Sequence, residues 1–287
     1  MNPHAVHSNN GRQPNGRGFK ARQMLGKYRI RRRVGHGAFA TVYEAYDTIE
    51  GVSVALKIPH GHMFDAEALD VIRREVRLTA RLEHEGILPL RNAMMVDGHF
   101  VIASPLGEQT LTDRLRYRLG AKTALSYAGQ LIDALAYAHE KRIIHCDIKP
   151  DNIILFPDGR VRLADFGIAK VALRTRTIYG SGQGTVGYIS PEQAMGKPSF
   201  RSDVFSMGLV VYRMFSGQLP EWPFDWPLPG ADRLRRTVSR DFIDFMRRSI
   251  EVRERKRFRD GVHMQHAFDE LEARAIRRPN GHRRLSR

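Results

Sequence analysis

Over the first hundred residues the apolar positions recur at short, strand-like intervals. Residues 28–34, 41–46 and 52–58 are brief runs separated by turn-forming segments, the pattern of half-buried strands. Residues 66–82 then show helical spacing through Val71, Ile72, Val76, Leu78 and Leu82. Residues 90–96 and 100–103 return to strand character, joined by Asp97-Gly98, a strong hairpin signal. After Pro105 the period becomes helical: residues 123–140 set Leu125, Ala128, Leu131, Ile132, Leu135, Ala136 and His139 on one face. Residues 202–215 are nearly apolar all round, which predicts burial at the centre of a domain. The spacing predicts two last helices, over 241–250 and 261–275, and no repeat appears at any period. The fold class is α+β. A small lobe of five antiparallel strands and one helix (residues 26–104) leads through a hinge at 104–106 to a larger, mainly helical lobe (107–272).

Composition matters chiefly through where the charge lies. A hydrophobic share of 42% in 287 residues suits a globular chain with a sizeable core. No stretch approaches the roughly 18 to 20 apolar residues of a membrane span, and the best candidate, 205–215, is interrupted by Arg213. The N-terminus lacks the apolar core of a signal peptide. A single cysteine, Cys146, excludes an internal disulfide framework and an all-cysteine metal site, so a reducing cytoplasm is the expected address. Of the net charge of +16, fifteen units sit at the two ends: residues 1–33 hold nine Lys or Arg and no acid, and residues 273–287 six Arg and no acid. Residues 1–25 and 273–287 read as solvated, disordered tails. The functional alternative is contact with nucleic acid, acidic partners or anionic lipid, although neither tail has the interleaved aromatics of a single-strand stacking platform.

Candidate chemistry begins at Gly35-His36-Gly37-Ala38-Phe39-Ala40-Thr41-Val42, between two strands. Glycines in a tight turn let backbone N–H groups approach phosphate oxygens with no side chain intervening. An ordinary glycine hairpin is the plain alternative. A dinucleotide-binding fold would need a helix directly after the glycines, and the Gly-Lys-Ser/Thr ending of the Walker loop is absent. Val54-Ala55-Leu56-Lys57 places a lysine in an apolar strand. Its ammonium needs either a charged partner, for which Glu75 is the candidate, or a stem long enough to reach water. The decisive segment is His145-Cys146-Asp147-Ile148-Lys149-Pro150-Asp151-Asn152, followed by Asp165-Phe166-Gly167. Phosphoryl transfer needs metal-binding oxygens, a cation near the transferred group and a residue that orients the attacking hydroxyl. Asp147, Lys149, Asn152 and Asp165 supply those parts over one short stretch.

With these motifs in this order, the chain resembles the eukaryotic-type (Hanks-type) serine/threonine protein kinases, bacterial members above all, from about Tyr28 to Leu271. The resemblance implies a bilobal protein-kinase fold, ATP as phosphoryl donor, magnesium with manganese as the alternative ion, and protein Ser/Thr hydroxyls as acceptors. It implies that backbone amides of Gly35, His36, Gly37, Ala38, Phe39 and Ala40 cover the phosphates. Lys57 would contact the α- and β-phosphates and pair with Glu75, which lies nine residues before His84. Val42, Ala55 and Ile154 would enclose adenine, with the Ser104 carbonyl and Leu106 N–H on its edge. Asp147 would align the substrate hydroxyl and accept its proton, Lys149 would steady the moving phosphoryl group, and Asn152 and Asp165 would hold the metal. Gly184-Thr185 and Tyr188-Ile189-Ser190-Pro191-Glu192 resemble the substrate-binding segment and its anchor, with Glu192 paired to Arg257 and Asp203 fixing the catalytic-loop backbone. Lys149 two residues after Asp147, with Thr185, fits Ser/Thr rather than dedicated Tyr specificity. Two alternatives share the scaffold. The intact Lys57, Asp147, Asn152 and Asp165 disfavour an idle nucleotide-binding protein, and residues 184–192 disfavour a small-molecule kinase.

Four departures from the family pattern carry expectations of their own. Ala40 replaces the third glycine and adds only a methyl group. Ala103 stands behind the adenine position, where bulkier residues are common, and predicts sensitivity to adenine-site inhibitors with large substituents. Cys146 replaces the arginine that grips an activation-segment phosphate in many relatives. Activity independent of phosphorylation at Thr175, Thr177 or Ser181 follows, unless Lys170, Arg174 or Arg176 provide another anchor; Cys146 itself reads as a small buried spacer. Finally, residues 217–241 are rich in Pro and Trp (Pro220, Trp222, Pro223, Trp226, Pro227, Pro229), which predicts a reduced helix and tryptophans packed on the lobe or offered to a partner.

Overall fold

A computed structural model describes residues 18–37, 40–60, 66–166 and 186–277, without the side chains of 66–69, 71, 75 and 186. The chain divides into two compact units, residues 1–67 with 91–104, and 68–90 with 105–287. The chain changes unit after Glu67, after Leu90 and, for the last time, between Ser104 and Pro105.

The first unit is a six-stranded sheet. In chain order its strands are β1 (Met24–Leu25), β2 (Tyr28–His36), β3 (Ala40–Asp47), β4 (Val52–Pro59), β5 (Asn92–Val96) and β6 (His99–Pro105), laid side by side as β1-β2-β3-β4-β6-β5. The sequence reading expected five strands and a structureless segment up to residue 25. The added strand is β1, which pairs Leu25 with Tyr28 and Met24 with Arg29 across a turn in which Gly26 has φ +55°. Two residues are too few to show a period, but Leu25 is buried, and Phe19 packs edge-on against Tyr43 and His99. Residues 18–25 therefore belong to the fold. The hairpin at Asp97-Gly98 has both residues at positive φ, as a tight two-residue turn requires. Tyr28, Ile30, Tyr43, Ala45, Val54, Leu56, Ile58, Val101 and Ala103 fill the core of this unit.

From residue 68 on, helix α1 (Ala66–Thr79) and the segment after it, up to Leu90, group with the second unit, although the expected small lobe ran on to residue 104. Leu82 and Ile87 are buried in the second core, and backbone bonds join Leu88 N–H to Leu163 O and Leu163 N–H to Gly86 O. The elements that follow are β7 (Gln109–Thr110), α2 (Leu111–Arg114), α3 (Ala121–Glu140), β8 (Ile153–Leu155), β9 (Val161–Leu163), α4 (Pro191–Ala194), α5 (Phe200–Ser216), α6 (Ala231–Thr237), α7 (Arg240–Ser249) and α8 (Gly261–Ala275). Strands β7-β8-β9 form a small antiparallel sheet. The expected apolar face of α3 is buried apart from the partly buried Leu125, and α5 is buried almost all round. A reciprocal capping box of Ser199 and Ser202 starts α5. Gly217 stops it at φ +79°, a left-handed cap that glycine adopts without steric cost.

The Pro/Trp-rich stretch contains one short helix, α6. Trp226 packs edge-on against Tyr212 beneath the Arg247 guanidinium, whereas Trp222 is 66% exposed. Among the described residues no helix is long and apolar enough to cross a membrane.

Candidate active site

In the first unit, register shifts between Ile30/Arg32 and Arg33/Gly35 bend β2 as it reaches the glycine turn. Gly35 then pairs with Val42 and His36 with Thr41, and Gly37 N–H donates to Ala40 O across the turn. Ala38 and Phe39 lie outside the described residues. On the neighbouring ladder Val42 stands opposite Lys57 and Glu44 opposite Ala55. Val42, Ala55 and Lys57 thus share one half-buried face of the sheet, while Tyr43, Ala45, Val54 and Leu56 point the other way into the core. Glu75 lies on α1, and its side chain is outside the description, as is any pairing with Lys57. Ser104 lies in β6, and Ala103 before it is 1% exposed.

In the second unit, Leu106 is followed by Gly107, where a β-carbon would stand 2.3 Å from Ile154 Cγ2 and 2.7 Å from Leu155 O. Only glycine lets this chain segment lie so close to Ile154. The loop before β8 carries Asp147, Lys149 and Asn152. Asn152 Nδ2 donates to both the Asp147 carbonyl (2.8 Å) and its carboxylate Oδ2 (2.7 Å), and Lys149 Nζ lies 3.2 Å from Oδ1. Each carboxylate oxygen is thereby held, which fixes the orientation of the carboxylate. The β8–β9 hairpin sets Asn152 just before one strand and Asp165 just after the other. Ile153 pairs with Leu163, and Ala164 N–H donates to Asn152 O at 2.8 Å. Asp165 has φ +61°, a left-handed conformation that residues other than glycine adopt infrequently.

A buried carboxylate on α5 holds the loop from below. Asp203, 1% exposed, accepts from His145 N–H (2.6 Å) and Cys146 N–H (2.8 Å). His139 Nε2 lies 3.0 Å from Asp203 Oδ2, and His139 Nδ1 accepts from Gly261 N–H at 2.7 Å. That second bond leaves the ring proton on Nε2, so the imidazole donates to Asp203. His145 is set in the same way: its Nδ1 accepts from Asp147 N–H, its Nε2 donates to Ala164 O, and its ring packs on Phe166 at 4.5 Å. Cys146 has φ +64° and is 8% exposed, and its carbonyl accepts from Gln193 Nε2. Burial, helped by the Asp203 and Asp147 charges, pushes its thiol far above the ordinary range. A buried thiol held protonated in this way is a poor nucleophile.

The fold also joins Glu192 to Arg257 through two parallel bonds, of 2.7 and 3.0 Å. The Arg257 side chain is fully buried, lies over Phe205, and donates further to Glu251 O, Arg201 O and Val252 O. Burial alone would raise the Glu192 carboxyl; the Arg257 guanidinium and Ser202 hydroxyl outweigh it, and the net shift is downward. Gly167, Lys170, Arg174, Thr175, Arg176, Thr177, Ser181, Gly184 and Thr185 lie outside the described residues. His139, Gly261 and Gln193 had no functional part in the sequence reading. His139 fits the apolar face of its helix, and only its contacts reveal the polar role.

Residues 28–268 match the family model of the protein kinase domain, and the chain belongs to that family. Serine/threonine-protein kinase PrkC of Bacillus subtilis is 34% identical over 206 residues, which cover 69% of this chain and 32% of that protein. Serine/threonine-protein kinase PknA of Mycobacterium tuberculosis is 36% identical over 208 residues, covering 69% and 48%. The chain thus spans 32% to 48% of the length of these curated relatives. A crystal structure of the PknI kinase domain of Mycobacterium tuberculosis shares the fold, with a TM-score of 0.70 at 24% identity over 89% of this chain and all of that one.

Proposed function

We propose that the chain is a serine/threonine protein kinase that transfers the γ-phosphoryl group of ATP to protein hydroxyls. The arrangement at Asp147 carries the reading. Its carboxylate is oriented by Asn152 and Lys149, on a backbone anchored by a buried aspartate. The donor set fits a magnesium nucleotide. Asn152 uses its amide N–H groups on Asp147, which leaves Oδ1 to serve as a hard-cation ligand, with the carboxylate of Asp165 as the second protein donor. Magnesium characteristically takes one or two such protein oxygens and completes its shell with phosphate and water. Bound Mg-ATP would supply the phosphoryl group and the cation that offsets its charge. Asp147 then orients the acceptor hydroxyl and takes its proton, while Lys149 offers positive charge to the group in transit. In the first unit, Lys57 and the glycine turn would hold the phosphates of a bound nucleotide. A cytoplasmic site of action and contact of the arginine-rich ends with nucleic acid or acidic partners rest on sequence alone, and residues 1–17 and 278–287 lie outside the described residues.

Labelled ATP, magnesium and a generic protein substrate test the reading. Phosphoserine and phosphothreonine should form, and Asp147→Asn and Asp165→Asn should each lower the rate by about 100- to 10,000-fold, the usual contribution of such groups. Equal labelling by wild type and both variants would refute it, as would label confined to tyrosine.

A further inference from the structure

Behind the glycine turn, three strands deliver three side chains to one end of the first unit's sheet. His36 closes β2, Thr41 stands opposite it on β3, and His60 follows β4 by one residue, two beyond Thr41's partner Ile58. Thr41 and Ile58 face away from Val42 and Lys57, so the trio lies on the reverse of the sheet face that carries those two residues. One hydroxyl serves both rings: His36 Nδ1 is 2.9 Å and His60 Nε2 3.0 Å from Thr41 Oγ1, with ring centroids 5.0 Å apart. The hydroxyl owns a single proton. It can satisfy the lone pair of one ring, and the other ring then supplies an N–H. A tautomer change in that second imidazole would aim both lone pairs at the same point.

We propose that His36 and His60 form a two-imidazole site for a divalent transition-metal ion of the zinc, nickel or copper class, which fastens the glycine turn to the end of β4. Imidazole suits these ions, whereas magnesium and calcium prefer oxygen. Zinc–nitrogen bonds are about 2.0–2.1 Å. Each ring must therefore move inward by roughly 0.9 Å from its present distance to the shared point. Side-chain rotation supplies that much for His36, which is exposed. The Thr41 hydroxyl turns aside to vacate the shared point, and water completes the shell. The proposal does not rest on phosphoryl transfer, and its readout is binding.

The test uses the untagged full chain, stripped of metal and free of nucleotide, at pH 7.5. Zn2+ is followed by calorimetry and Cu2+ by electron paramagnetic resonance. One ion per chain should bind, with two imidazole nitrogens on copper, unaffected by millimolar magnesium. H36Q and H60Q should each weaken binding at least tenfold while keeping the wild-type circular dichroism. The sequence offers a rival ligand in His62, two residues after His60, and H62Q separates the two cases. Retained affinity in H62Q supports the cross-strand site. Wild-type affinity in H36Q, or loss in H62Q alone, overturns it. Should H36Q fail to fold, the copper spectrum of H62Q decides: two coupled nitrogens support the site, and one refutes it.

Discussion

Replacing Asp203 by asparagine tests whether the buried carboxylate positions the catalytic loop. The carboxylate accepts three hydrogen bonds, from His145 N–H and His139 Nε2–H on Oδ2 and from Cys146 N–H on Oδ1. An amide keeps one acceptor. In its better orientation the carbonyl retains the His145 and His139 bonds, and the NH2 then confronts the Cys146 N–H, donor against donor at 2.8 Å. A buried donor left without a partner costs about 1–3 kcal/mol, and the two remaining bonds lose their charge assistance. A total of about 2–4 kcal/mol is expected. The damage should centre on Cys146, whose φ of +64° costs about 1–3 kcal/mol for a residue with a side chain and so needs an external hold. Released, the loop relaxes and carries Asp147, the next residue, with it. A shift of about 1 Å lowers the rate by about 100-fold. Urea unfolding followed by tryptophan fluorescence gives the stability, and kcat/KM for phosphoryl transfer gives the activity. Asp203→Asn with wild-type kcat/KM would refute the coupling, even if the protein were destabilised.

Arg257→Met should destabilise by about 3–5 kcal/mol, because it strands the Glu192 carboxylate; urea midpoints check this, and a loss under about 1 kcal/mol would show that the pair is replaceable. Adenine-site inhibitors with large substituents should act on wild type at concentrations at least tenfold lower than on Ala103→Met. That variant should itself lose about 1–3 kcal/mol from overpacking a side chain that is 1% exposed, and equal inhibition would discredit the role of Ala103. Cys146 should resist iodoacetamide at pH 8 in the folded protein, and kinase activity should survive phosphatase treatment; activity lost there and restored by autophosphorylation would show that the activation segment is anchored without the missing arginine. Burial pushes the Asp260 carboxyl up, but the His263 backbone N–H and imidazole, with Arg259, hold it down at about 2. Its folded value lies below the ordinary one, so its stabilisation is complete above about pH 4 and fades as pH falls toward 2. Asp260→Asn should flatten that part of the acid-unfolding curve.

The glycine turn, the Lys57 strand and the His145–Asn152 and Asp165–Phe166 segments were legible because their chemistry lies in short runs of chain. Local spacing also identified α3, α5, α7 and α8 to within two residues at either end. Strand β1 escaped because two residues carry no period. Glu192–Arg257 and the Asp203 anchor were expected only through resemblance to the family. With 31 acids and 47 basic residues, sequence alone cannot choose a pair 65 positions apart.

What the sequence determined by itself is therefore the order and type of the elements and the residues that can carry phosphoryl-transfer chemistry, since periodicity and turn preferences act over a few neighbours. Tertiary structure decided which polar groups meet. A β-carbon on Gly261 would lie 2.9 Å from the backbone of Leu135 and Ala136, so α8 can start against α3 only with glycine there. That contact brings the Gly261 N–H to His139, and through His139 to Asp203, 122 and 64 residues away along the chain from the histidine. Such partners are chosen by the packing of whole helices, which leaves no local trace in the order of residues.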